Sequence, residues 1–79
     1  MSNIDVKESK EERFVRVAES RTNKIIHMIR LLGNCANKNN YEYTETEVKK
    51  IFAAIEGELR IAKTKFADAE SIGQKFSLR

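Results

Sequence analysis

No proline occurs anywhere in the 79 residues, and glycine appears only at positions 33, 57 and 73. The two residue types that most strongly break helices are nearly missing, so long helices are free to run. The spacing of apolar residues fits that reading. Stepping alternately by four and three from Phe14 meets Phe14, Ala18, Arg21, Ile25, Met28, Leu32 and Cys35. All but Arg21 are apolar or small. Val15, Thr22, Ile29 and Ala36 lie beside this seam and widen it, as in a bundle helix that faces a core. The same stepping from Val48 meets Val48, Phe52, Ile55, Leu59, Ala62, Phe66 and Ala69, all apolar, with Ile51 alongside.

Local signals bound these two helices. Ser9 and Glu12 have capping-box spacing, and so do Thr44 and Glu47. Tyr43 and Val48 have the spacing of a hydrophobic staple, and Glu45 and Glu47 put negative charge in the first turn, where the helix dipole favours it. Four of the eight residues from Gly33 to Asn40 are Asn, a residue that bonds its own main chain and tolerates turns. The expected organisation is an N-terminal tail over 1–8, a helical hairpin over 9–72 and a C-terminal tail over 73–79. The helices are expected at about 9–36 and 44–71, with an Asn-rich loop over 37–43. Gly73 marks the expected helix end, and Phe76 and Leu78 could fold back onto the core. The fold class is all-α, an antiparallel two-helix hairpin. One hairpin buries only a thin core, so two are expected to associate as a homodimeric four-helix bundle. A monomer whose tails cover the exposed side is the rival.

Several function classes fall away. One cysteine cannot form a disulfide within the chain, and one Cys with one His cannot fill a zinc site. No apolar run approaches the length of a membrane span, and residues 1–10 do not read as a signal peptide. A cytoplasmic protein is expected. No glycine-rich phosphate loop, nucleotide fingerprint or paired-carboxylate motif is present, so no cofactor, no metal, no small-molecule substrate and no catalysis are expected. His27 stands alone on a polar face, without a partner nucleophile or a second ligand residue. Cys35, at the end of the seam, reads as a small buried hydrophobe.

The main positive feature is the outer face of the first helix. Arg13, Arg16, Ser20, Asn23, His27, Arg30 and Asn34 fall on one side, with Lys24 at its flank and no acid within the stripe. From Ser9 to Lys38 seven cations face three acids, a net of +4, whereas Thr44 to Glu70 carries a net of −1. This face is either a solvated surface or a site for a protein, nucleoprotein or nucleic-acid partner, with phosphate contacts in the last case. Tyr41 could stack on bases, although packing over the end of the bundle serves it equally. Arg21 is the one charge in the seam. Its stem packs while its head reaches water or an acid such as Glu58, because an unpaired charge there is costly.

The strings Arg21-Thr-Asn-Lys-Ile-Ile-His-Met-Ile-Arg-Leu-Leu-Gly-Asn34, Tyr41-Glu-Tyr-Thr44 and Val48-Lys-Lys-Ile-Phe-Ala-Ala-Ile-Glu56, together with Asn37, carry a resemblance. Over about residues 12–66 the chain resembles a group of short helical proteins of Gram-positive bacteria and their plasmids, phages and conjugative elements. The resemblance implies an accessory or regulatory setting and carries over no activity. In architecture alone the expected bundle is similar to the plasmid copy-number regulator Rop, a dimeric hairpin that binds RNA. Three functions compete. The first is a non-catalytic interaction module that binds a protein or nucleoprotein. The second is a nucleic-acid-binding regulator, either Rop-like or a ribbon-helix-helix repressor. The repressor would need a strand over Asn3 to Lys7, helices over Glu12–Ala18 and Asn23–Leu32, and a break between them. The third is an enzyme, which has no candidate residues.

Overall fold

The structure, a computed structural model, describes residues 7–74, with side chains described up to residue 70. Two helices, α1 over Lys10–Asn34 and α2 over Glu45–Gln74, make up its regular structure, and no strand is present among the described residues. The chain divides into two units, Met1–Tyr41 and Glu42–Arg79, each built around one helix.

In the first unit the capping box closes as its spacing demands. The Ser9 Oγ accepts from the Glu12 amide at 3.0 Å, and the Glu12 carboxylate accepts from the Ser9 amide at 2.9 Å. Two of the amides that a helix start leaves without partners are thereby satisfied. α1 then runs unbroken for 25 residues. Continuity through Ser20, Arg21 and Thr22 corrects the ribbon-helix-helix version, which needs a break there. None of these residues forces a turn, and the apolar phase does not shift across them. The strand expected over Asn3 to Lys7 lies outside the described residues, apart from Lys7.

α1 ends at Asn34, slightly earlier than the spacing suggests. The Cys35 amide donates to the Leu32 carbonyl at 2.9 Å, and the Ala36 amide to Gly33 at 3.1 Å. These i-to-i−3 bonds tighten the final turn and close the helix. Asn37 organises the connection to α2. Its side-chain oxygen accepts from the Asn39 amide at 2.9 Å, and its carbonyl accepts from the Asn40 and Tyr41 amides at 3.1 and 3.0 Å. This is how asparagine builds a turn, with a side chain standing in for a backbone group.

In the second unit the Thr44 hydroxyl accepts from the Glu47 amide at 3.1 Å, and Glu47 accepts from the Thr44 amide at 2.8 Å. Tyr43 and Val48, on either side of this box, are both half-buried, as a staple would make them. α2 continues through Gly73 to Gln74, past the stop expected at Gly73. Glycine ends a helix where the chain then turns left-handed; without such a turn it only weakens the helix it sits in. Phe76 and Leu78 lie outside the described residues.

Candidate functional site

None of the described side chains is buried. In α1, Phe14, Val15, Ile25, Ile26, Met28, Ile29 and Leu31 all stay exposed, as do Ile51, Phe52, Leu59, Ile61 and Phe66 in α2. The exposure of these large apolar side chains runs from 41% to 65%. Single exposed apolar residues are ordinary, but rows of them at helical spacing mark surfaces meant to be covered.

The two rows differ in width. At 100° per residue, the large apolar residues of α1 spread over roughly 220° of its circumference, from Leu31 through Phe14 and Ile25 to Ile26. Those of α2 gather within roughly 100°, with only Ile61 off the row among its described side chains. The borders differ in the same sense. Val15, Thr22 and Ile29 edge the α1 seam on one side, and Val17, Lys24 and Leu31 on the other, so these borders are mostly apolar. The α2 seam is edged by Lys49, Glu56 and Lys63 on one side and by Ile51, Glu58 and Lys65 on the other. Charged borders are the pattern of a helix with one neighbour along its seam, whereas apolar borders suit a helix with two. The four-three stepping does not pick out Val17, Ile26 and Leu31. Extending the same periodicity one position to either side finds them.

The outer face of α1 fills the arc that this row leaves open, with Arg13 and Lys24 at its edge beside Leu31. Arg13, Arg16, Asn23, Lys24, His27, Arg30 and Asn34 are all exposed, and Tyr41 is 53% exposed beyond the helix end. Arg16, Asn23 and Arg30 are stacked at intervals of seven residues, about 10.5 Å apart along the axis. The face does not act as one uniform basic stripe. Glu8, just before the N-cap, reaches back over the first turns. Its carboxylate accepts from the Arg16 Nε and Nη2 at 2.7 and 2.9 Å and lies 3.9 Å from the Arg13 Nε. The hydrogen bonds from Arg16 hold the Glu8 carboxyl below the usual glutamate range, and the carboxylate in turn raises Arg16. The two N-terminal cations are thus engaged within the chain. The cations further along have no acid near them in sequence: none occurs between Glu19 and Glu42.

A shallow concave strip on α1, lined by Ser9, Glu12, Val15, Arg16, Glu19 and Asn23 among others, mixes both charge signs on the open side of a single helix. Arg21 is exposed in the seam. Cys35 is also exposed, with its thiol 4.0 Å from the Leu31 carbonyl oxygen. Cys35 follows the last helical residue, so it caps the helix and does not line the row. Among the described residues no group of His, Cys, Asp and Glu side chains is placed to hold a metal ion, and no helix is long and apolar enough to cross a membrane.

Neither protein-family models, nor curated proteins, nor solved structures provide a match to this chain. Function is therefore read from the two faces of α1 and the row on α2.

Proposed function

We propose that the protein is a small non-catalytic interaction module. In this reading α1 and α2 pair as an antiparallel hairpin, and two hairpins associate as a four-helix bundle that binds a protein or nucleoprotein partner. One observation carries the reading: both helices present rows of large apolar side chains at 41–65% exposure. Covering such rows is the dominant favourable term in helix association, and a chain this short gains most of it by pairing with a copy of itself. The outer face of α1 then remains available to the partner. Following the resemblance of residues 12–66, that partner belongs to a bacterial mobile element or its host, in the cytoplasm.

The acid-free stretch between Glu19 and Glu42 favours a second reading, in which Lys24, Arg30, Asn34 and Tyr41 contact nucleic acid. In this version Arg13 and Arg16 contribute less, because Glu8 already engages them.

Sedimentation velocity of the purified chain, alone and with labelled duplex DNA or structured RNA, tests both readings. The first expects a species of about 18 kDa, twice the 9.1 kDa chain, that ignores both nucleic acids at low salt. A complex that co-sediments and dissolves steeply as salt rises supports the second, since that salt dependence reports displaced counterions. A 9.1 kDa species with no ligand overturns the bundle.

A further inference from the structure

Resting on the second reading above, in which α1 contacts nucleic acid, we propose that Arg13 and Arg16 form a phosphate site that Glu8 keeps occupied, so that the backbone phosphates of a nucleic acid must displace this carboxylate to gain both guanidinium groups. The contact joins residues eight apart in sequence, so it is not the i,i+4 pairing that a helix makes by default. Glu12 has that spacing to Arg16, but its carboxylate is committed to the cap, where it accepts from the Ser9 amide at 2.9 Å. Arg16 instead donates to both oxygens of Glu8, from Nε at 2.7 Å and from Nη2 at 2.9 Å. This two-pronged grip is the geometry with which arginine also holds a phosphate.

The cluster is one anion short. Two cations share a single carboxylate, which leaves one positive charge over. The Arg13 Nε stands 3.9 Å from the carboxylate, too far for a hydrogen bond, so Glu8 attracts Arg13 without bonding it. A nucleic-acid backbone presents phosphates in succession and supplies an anion for each guanidinium. The Arg13 and Arg16 side chains are 60% and 62% exposed, so both can be approached from solvent. Once Glu8 is displaced, Arg16 joins the line that continues through Asn23 and Arg30 at seven-residue spacing.

Competition opens the site, not acid. The Arg16 hydrogen bonds hold the Glu8 carboxyl below the usual glutamate range, so it stays ionised at neutral pH. An exposed ion pair is weak enough to be exchanged for another anion. Glu8 therefore lowers the affinity of α1 for nucleic acid without abolishing it, and restricts full engagement to ligands that bring phosphates to the N-terminal end of the helix.

The test measures binding of the full chain to labelled duplex DNA and, separately, to structured RNA over a range of salt concentrations. It compares the wild type with Glu8→Gln and Glu11→Gln. Glu11 is exposed in the first turn of α1 and lies outside the cluster, so its variant removes the same charge without freeing an arginine. Glu8→Gln is expected to bind about fivefold more tightly than Glu11→Gln, with a salt dependence steeper by about one phosphate contact. Replacing Arg13 and Arg16 by Gln in the Glu8→Gln chain is expected to remove that gain. The ligand that shows the larger gain identifies the source of the phosphates. Equal affinities and slopes for the two glutamate variants would overturn the phosphate site and leave the second reading standing. Binding by none of the proteins at low salt would overturn both. Should Glu8→Gln lose helical circular dichroism, single substitutions in the wild-type chain decide the matter. Arg16→Gln is then expected to cost about fivefold less affinity than Arg30→Gln, because Glu8 already offsets Arg16. An equal or larger loss from Arg16→Gln would sink the proposal.

Discussion

The Arg16 guanidinium grips the Glu8 carboxylate with two hydrogen bonds, at 2.7 and 2.9 Å, from eight residues further along the chain. The contact ties the segment before the N-cap to the second turn of α1. The grip holds Glu8 ionised to lower pH than an ordinary glutamate. A carboxyl whose pKa falls on folding adds stability above its unfolded value, and that stability is lost as pH drops through the lowered folded value. An acid titration followed by circular dichroism should therefore show a helical component that melts below the usual glutamate range. Glu8→Gln should lack that component at every pH. Superimposable curves for the two proteins would mean that the contact contributes nothing, a common outcome for exposed ion pairs.

The two capping boxes should act independently, because each lies within its own unit. Ser9→Ala and Thr44→Ala are each expected to cost about 1 kcal/mol of helix stability, and the double variant about the sum. Denaturant melts of the three variants check this. A cost in the double variant far from the sum would show that the two helix starts are coupled.

Gly57 lies in the middle of α2, on the side away from its apolar row, and a Cβ there would meet nothing within 4 Å. Gly57→Ala should stabilise the protein by about 0.5–1 kcal/mol by removing backbone freedom from the unfolded chain. A raised thermal midpoint with an unchanged sedimentation coefficient is expected. A fall in midpoint would place another surface against this side of α2.

Ile55 is half-buried at the centre of the α2 row. Ile55→Asp should put an unpaired carboxylate into the bundle core, at a cost of about 3 kcal/mol or more. Loss of both the cooperative melt and the dimer is the expected result. A variant that melts and sediments like the wild type would show that this row is not the core.

Much of the local structure is legible in residue order. Ser9–Glu12 and Thr44–Glu47 close the expected boxes, and Asn37 builds the expected turn, because each involves partners within four residues. Helix ends are less legible. Cys35 keeps the apolar phase but falls in the tightened final turn, and Gly73 has the composition of a stop in a helix that continues to Gln74. Periodicity records which side of a helix a residue would occupy, not whether the helix reaches it. Asn23, Lys24, His27, Arg30 and Asn34 share one side of α1 by their helical spacing, but exposure does not single them out, since Phe14 and Met28 of the same helix are exposed too. The N-terminal half of that side differs from this simple picture, because Glu8 sits before the cap. Where a side chain there reaches depends on the direction in which the chain enters the helix, and no periodic rule describes that direction.

The reciprocal caps also bear on how the chain acquires its shape. The costly event in making a helix is its first turn, where several dihedral angles are fixed for a single bond. Here each first turn begins with a cap that supplies two additional bonds from within four residues. Neither helix has a basic residue in its last turn to steady the other end. Both caps therefore favour helix starts at Ser9 and at Thr44. A nascent chain leaving the ribosome meets each start signal before the residues that extend the helix. It can enter α1 before any of α2 has been synthesised.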